Sequence, residues 1–444
     1  MSDALPLPPR PNEEQYKKLA RDLQKACKSG DPDAIRRWAV HWLETLLRLY
    51  GPFHWPLARD PEAAARQIER RWNKLKQTTE NISKCALTGA QFFIAREHGF
   101  TNWPRFARHI QELARNNSSV SAFEAAADAI VTGRLPELRR LLASHPGLIR
   151  ERSTRDHHST LLHYVSANGI EDFRQKTPSN IVEIASLLLG AGAEVDAESD
   201  AYGGGCTTLG LVATSVHPEK AGVQIALLRT LLDRGASLQH QSSAGNRHSI
   251  VHGCLANGQP GAARFLADLG APLNLESAAA LGRLDVLRSW FDENPAPRPD
   301  VCRRQMESAL LYACGYGSLE AAMFLLDRGV NPAAQDEQGQ TTLHWAAWTP
   351  QIAIMRLLLE RGAPVGATDY RFHATALDTA LWTWANASED NNRESCYEAV
   401  SLLARAGARL DREHWREAAK DGSPMLGRID SDSRMLAALR GENP

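Results

Sequence analysis

Three histidines, His157, His158 and His163, fall within seven residues of one another, and His217, His240, His248 and His252 follow. Imidazole is the commonest metal ligand and the side chain that titrates nearest neutral pH, so such a group could hold Zn²⁺ or share a proton transfer. A metal site needs three or four converging donors, however, and no recognisable second pair of ligands accompanies His157, His158, His217 and His248. In the charged stretch Glu171-Asp172-Phe173-Arg174-Gln175-Lys176, Arg174 and Lys176 could face an acidic ligand, although the stretch reads more simply as a solvated charge run. Arg66, Arg70 and Lys74 recur on one helical face beside Trp72, a spacing that could track phosphates, but Glu69 interrupts the patch. Tyr202-Gly203-Gly204-Gly205-Cys206 precedes a helix start at Thr207, where backbone amides could meet an anion; glycines at a turn tip also simply permit positive φ.

The motifs that accompany catalysis are missing. The chain has no Gly-x-x-x-x-Gly-Lys-Ser/Thr phosphate loop, no His-Glu-x-x-His, no Gly-x-Ser-x-Gly elbow and no Gly-x-Gly-x-x-Gly after a strand. No catalytic residue, metal ligand or cofactor is therefore expected, and the chain is not expected to be an enzyme. Composition agrees with an ordinary folded protein, 43% hydrophobic and 23% charged. Charge is uneven: up to Arg115 there are 20 Lys and Arg against 13 Asp and Glu, leaving eight net negative charges for the remainder of a chain whose total is −1. This asymmetry favours attraction between the two parts over a nucleic-acid partner, which is not expected. Seven scattered cysteines without Cys-x-x-Cys spacing suit a reducing cytoplasm, and no stretch is apolar enough for a membrane span or a secretory leader.

The elements that must position these residues read as helices. Residues 1–12 are proline-rich and expected to be a flexible tail. Residues 13–115 form a basic helical domain: Glu13 to Lys28 with Leu19, Leu23 and Cys27 at four-residue spacing, then a helix capped by Asp31 with Ile35, Trp38, Trp42, Leu46 and Leu49 on one face. A third helix runs over Pro61 to Gln77 and a fourth over Thr88 to His98, ended by Gly99; Thr101 is expected to cap a fifth, with Phe100 and Trp103 locking the turn between them. Residues 116–121 are polar and read as a linker.

From residue 122 to residue 410 one pattern returns. Its clearest copy is Gly339-Gln340-Thr341-Thr342-Leu343-His344-Trp345-Ala346-Ala347, followed by Ile354 to Leu359 and Gly362-Ala363. Others are Thr160-Leu161-Leu162-His163, Thr207-Thr208-Leu209-Gly210, Ser249-Ile250-Val251-His252, Ser308-Ala309-Leu310-Leu311 and Thr375-Ala376-Leu377-Asp378, each followed by Gly-Ala or Gly-Val. This resembles the ankyrin repeat over about two thirds of the chain. The resemblance implies an all-α solenoid of paired helices with β-finger turns, preceded by the helical domain and closed by a C-terminal helical cap and tail over residues 411–444. It also implies that His163, His252 and His344 hold finger turns by hydrogen bonds. The N-terminal stretch from Gln91 to Pro104 resembles a helical region of some bacterial ankyrin-repeat proteins. Extra residues at Ile170 to Asn180, Val216 to Val223 and Ala385 to Ser395 all fall between the two helices of a repeat and project from one edge.

The same resemblance places Tyr312, Tyr316, Trp345, Trp348 and Trp382 on the concave groove of successive repeats. Tyrosine and tryptophan give large contact area at low entropic cost, so these five are the expected docking surface for a protein partner. The expected function is thus a protein-binding scaffold or adaptor, without a membrane partner. The alternative is an enzyme or small-ligand receptor with its site near the inserted loops and the histidines of residues 157–252.

Overall fold

The computed structural model describes residues 4–8, 11–50, 60–115, 118–240, 243, 249–291, 301–387, 393–418 and 424–442. They form two compact units, Met1–Phe265 and Leu266–Pro444, so the basic helical segment is not a body apart from the first repeats. The physical reason lies at residues 99–109. Asp156 N donates to Gly99 O (3.0 Å), Thr101 N donates to Asp156 Oδ1 (2.8 Å), His109 Nδ1 meets Thr154 Oγ1 (2.7 Å), and the Arg155 guanidinium lies over the Phe100 ring. The expected linker is shorter than 116–121, since Ser118 already caps the helix Ser119–Val131 and donates to Glu112 O.

In the first unit the N-terminal helices are Glu13–Lys28, Ala34–Tyr50, Pro61–Thr78, Leu87–Glu97 and Trp103–Leu113. Asn12 and Asp60 cap two of them through side-chain carbonyl or carboxylate oxygens, and apolar residues at three- and four-residue spacing, Leu23, Ile35, Trp42, Leu46 and Ile68 among them, are buried together. Asn102, not Thr101, caps the fifth helix, because its side chain reaches Arg105 N while Thr101 N is engaged by Asp156. Phe100 and Trp103 do brace this turn, both against Phe106 (5.4 and 5.6 Å between ring centroids). The expected loose tail is instead held where it is described: Ala4, Leu5 and Leu7 are buried, Leu5 N donates to Glu97 O (2.6 Å) and His98 Nδ1 donates to Leu5 O (2.9 Å). Burying one leucine contributes about 2 kcal/mol, enough to order a short apolar segment.

Helix pairs follow. In the first unit they are Ser119–Val131 with Leu135–Ser144, the 3₁₀ turn Leu161–Ser166 with Ile181–Gly190, and Thr208–Ala213 with Gln224–Asp233. The second unit contains Leu275–Ala280 with Leu284–Arg288, Arg303–Tyr316 with Leu319–Asp327, Thr342–Trp348 with Ile352–Glu360, and Ala376–Asn386 with Arg393–Arg405. Leu161–Ser166 is tighter than the α-helix the pattern suggests, since Ser166 Oγ bonds back to His163 O and competes with regular helix pairing. Among the described residues, strand pairing occurs at finger turns: Glu198–Ser199 pairs antiparallel with Cys206–Thr207, and single bridges join Arg152 to Thr160, Gln335 to Thr341 and Thr368 to Thr375. Cys27 and Cys85 are joined in a disulfide, unlike the free thiols expected, and the other five cysteines are free.

Candidate functional sites

Two of the motif histidines, His163 and His344, are structural. Thr160 N donates to His163 Nδ1 (3.1 Å), which leaves Nε2–H to donate to Cys206 O of the next finger (3.2 Å). His344 repeats the arrangement with Thr341 N (3.0 Å) and Ala374 O (2.9 Å). Each imidazole thus ties its own helix start to the following finger. Burial holds His163 neutral, its pKa pushed down to about 4, and pushes His344 down as well.

Along the first helices of the second unit, the five aromatics expected on the groove fall into two groups. Tyr312 packs on Tyr316 (6.2 Å) and on Trp345 (5.2 Å), and Trp348 meets Trp382 edge to face at 4.9 Å. Trp345 is half-buried, with Nε1 donating to Asp336 Oδ2 (3.1 Å) and its ring pressed on Gly315, where a Cβ would come within 2.8 Å of Cε3. Trp348 and Trp382 remain 42% and 47% exposed. The C-terminal helices Arg412–Ala418, Pro424–Ser431 and Ser433–Leu439 pack elsewhere: Trp415 Nε1 donates to Asp378 Oδ1, Arg428 lies over Trp384, and Tyr397 OH donates to Asp432 Oδ2. Tyr370 and Phe372, on the finger after Trp345, add two more exposed rings, which the helix positions chosen from the sequence could not include.

In the first unit the sequence candidates separate. Arg174 is buried, its guanidinium bound by Glu124 (2.8 Å), Asp128 (2.8 Å) and Glu171 (3.3 Å), so it is not the solvated or ligand-facing group expected. Glu171, Phe173 and Arg174 turn inward because the inserted loop folds into a short 3₁₀ helix, Asp172–Arg174, over Tyr164. Lys176 stays half-buried next to this cluster. His157 Nε2 stands 3.4 Å from Glu171 Oε1, while His158 Nδ1 pairs with Asp200 (2.6 Å). His217 lies on another inserted helix, Val216–Lys220, and His248 is outside the described residues. Trp72 is buried edge to face against Phe93, so it offers no face to a base beside Arg66, Arg70 and Lys74. Among the described residues no group of three His, Cys, Asp or Glu side chains is arranged to hold a metal.

A residue the sequence reading passed over, Arg155, organises this region. It is 1% exposed and binds Glu124 (2.5 Å) and Glu171 (3.0 Å). Burial opposes the charges of Glu124 and Glu171, but Arg155 and Arg174 outweigh it, holding Glu124 down at about 2 and Glu171 well below the usual carboxylate range. Tyr164 OH adds a hydrogen bond to Glu171 Oε1 (3.2 Å). Its only sequence signal was a basic residue in a finger turn, a position normally solvated.

A family model for ankyrin repeats in three copies matches residues 275–369. An ankyrin repeat protein, L92, of Acanthamoeba polyphaga mimivirus is 38% identical over 58 residues, 13% of this chain and 14% of that protein, so the match spans a small part of the relative's length. Among solved structures, the ankyrin repeat domain of Bcl-3, a member of the IkappaB family, is 21% identical, with 57% of this chain and 92% of that one covered and a TM-score of 0.29. The human ASB11 ankyrin repeat domain is 20% identical, with 64% and 99% covered and a TM-score of 0.32. No helix among the described residues is long and apolar enough to cross a membrane.

Proposed function

We propose that this chain, whose residues 275–369 match the ankyrin-repeat family model, is a protein-binding scaffold whose partner docks on the aromatic face of the second unit. The observation that carries this reading is the pair Trp348 and Trp382, in mutual contact yet 42% and 47% exposed. Large rings left in water next to a well-buried aliphatic core have no packing role there, whereas rings of this kind dominate interface energetics. Carboxylates border the face: Asp336 at Trp345 and Glu276 near Tyr312. The partner segment is therefore basic as well as apolar, and the chain acts by binding rather than by catalysis.

The test is selection of peptides on the full chain from a random library, followed by affinity measurement on Trp348→Ala and Trp382→Ala. The expected outcome is enrichment of peptides with Lys or Arg beside apolar residues, whose affinity falls about thirty-fold, about 2 kcal/mol, in either variant while the melting temperature hardly moves. Selected peptides that bind both variants as tightly as the unaltered protein would place the docking surface elsewhere. Trp345→Ala separates the two roles, since its ring is held by Gly315 and Asp336: it should lower stability by about 3 kcal/mol as well as affinity.

A further inference from the structure

A cavity of about 300 Å³ opens in the first unit where four distant segments meet: the described N-terminal residues at Ala4, the turn at Gly99, the finger Arg155–His157 with the inserted loop at Glu171, and the second finger at Asp200–Gly203. Its size is at the lower end of pockets that take small organic molecules. Its floor is built, not incidental. The Glu171 side chain is fully buried; Oε1 is taken by Arg155, Arg174 and Tyr164, but Oε2 has no hydrogen-bond partner. Arg155 Nε is likewise buried without a partner, and His157 Nε2 reaches Glu171 only at 3.4 Å, without a well-directed hydrogen bond. Buried polar groups in folded proteins are nearly always satisfied, so the open acceptor Glu171 Oε2 at this cavity points to a donor that binds there.

The mouth carries a second sign. Tyr202 has φ 53° and His158 φ 44°, left-handed values that side chains other than glycine's seldom adopt. Such strain persists where surrounding structure imposes it, and it collects at ligand sites. It sets the Tyr202 ring, 65% exposed, at the cavity edge with its hydroxyl donating to Asn168 Oδ1 (2.6 Å), and it sets His158 against Asp200. Charge decides the class of ligand. Of the side chains that line the cavity, Asp156, Glu171 and Asp200 are acidic, and Arg155 and His157 are the basic ones.

We propose that this cavity binds an alkylammonium or alkylguanidinium cation, its charged head directed to Glu171 Oε2 and Asp200 and the Tyr202 ring against it as a cation–π partner. The site is independent of the aromatic face of the second unit. The cation is either a free small amine or a basic side chain of another protein, and two probes distinguish these: agmatine and N-acetyl-arginine methylamide, titrated calorimetrically into the full chain beside neutral butylurea and inorganic phosphate. Agmatine should bind, and the blocked arginine should bind more tightly only if the natural ligand is a protein side chain; butylurea and phosphate should not. Asp200→Asn and Tyr202→Ala, both at the surface and expected to fold, should each weaken agmatine at least about five-fold, and Trp348→Ala should leave it unchanged. The proposal is overturned if neither cation binds at about 10 mM, if butylurea or phosphate binds as well as agmatine, or if both mouth variants bind like the unaltered protein.

Discussion

Arg155 shows how far a single side chain can shape this protein. A guanidinium taken out of water loses several kcal/mol of hydration, and only close, well-directed carboxylates offset that loss. Glu124 and Glu171 do so here, and Arg174 uses the same two carboxylates along with Asp128. Removing one member leaves the others charged and buried. Arg155→Met is therefore expected to destabilise the protein by about 3–5 kcal/mol, whereas Arg174→Met, which leaves Arg155 to both glutamates, should cost less. Urea unfolding of the two variants checks the ranking, and equal small losses would mean that water reaches the cluster freely.

At the scale of the element, the N-terminal helices depend on ties that the helix pattern does not reveal. The Cys27–Cys85 disulfide joins the end of Glu13–Lys28 to the turn before Leu87–Glu97, closing a loop of 58 residues. A cross-link over such a loop stabilises by about 4 kcal/mol on chain-entropy grounds. The double variant Cys27→Ser/Cys85→Ser should lose an amount of this order in denaturant, and thiol titration of the unfolded, unreduced chain should find the five free cysteines and not all seven. Seven reactive thiols would show that the protein exists reduced. The inserted loops behave as elements too: the one at 170–180 is drawn inward by Arg174, although its charge had suggested a solvated projection.

For the whole molecule, pH is the informative variable. His98, His109 and His163 are buried and neutral, and loss of hydration pushes their pKa values down to about 3, 4 and 4 from the ordinary 6.5. Below pH 6.5 the unfolded chain takes up protons that the folded chain refuses, so stability is full above that pH and falls as the pH drops toward 4. At pH 5 each histidine contributes a loss of about 2 kcal/mol relative to pH 7.5, so the unfolding free energy should drop by at least that amount. Below pH 4.5 protonation of Glu124 and Glu171, whose pKa values are depressed, removes further stability. A denaturant midpoint that is flat between pH 7.5 and 5 would contradict the burial of these rings.

The repeat was legible in the sequence because its signals are local. A threonine cap, a histidine three residues on, and a Gly-Ala after a leucine run each act within one helix pair, and Thr341 with His344 has the geometry the motif implied. Helix boundaries such as Glu13–Lys28 were legible for the same reason, since capping and four-residue periodicity are properties of adjacent residues. Which charged and aromatic side chains are inside was not legible. Arg174 and Trp72 lie on stretches that look solvated, and only neighbours distant in sequence, Glu124 and Phe93, make their burial favourable. The cavity is the extreme case: residues near 4, 99, 155, 171 and 200 carry no mutual spacing, and their convergence is decided by the packing of the N-terminal helices on the first two fingers.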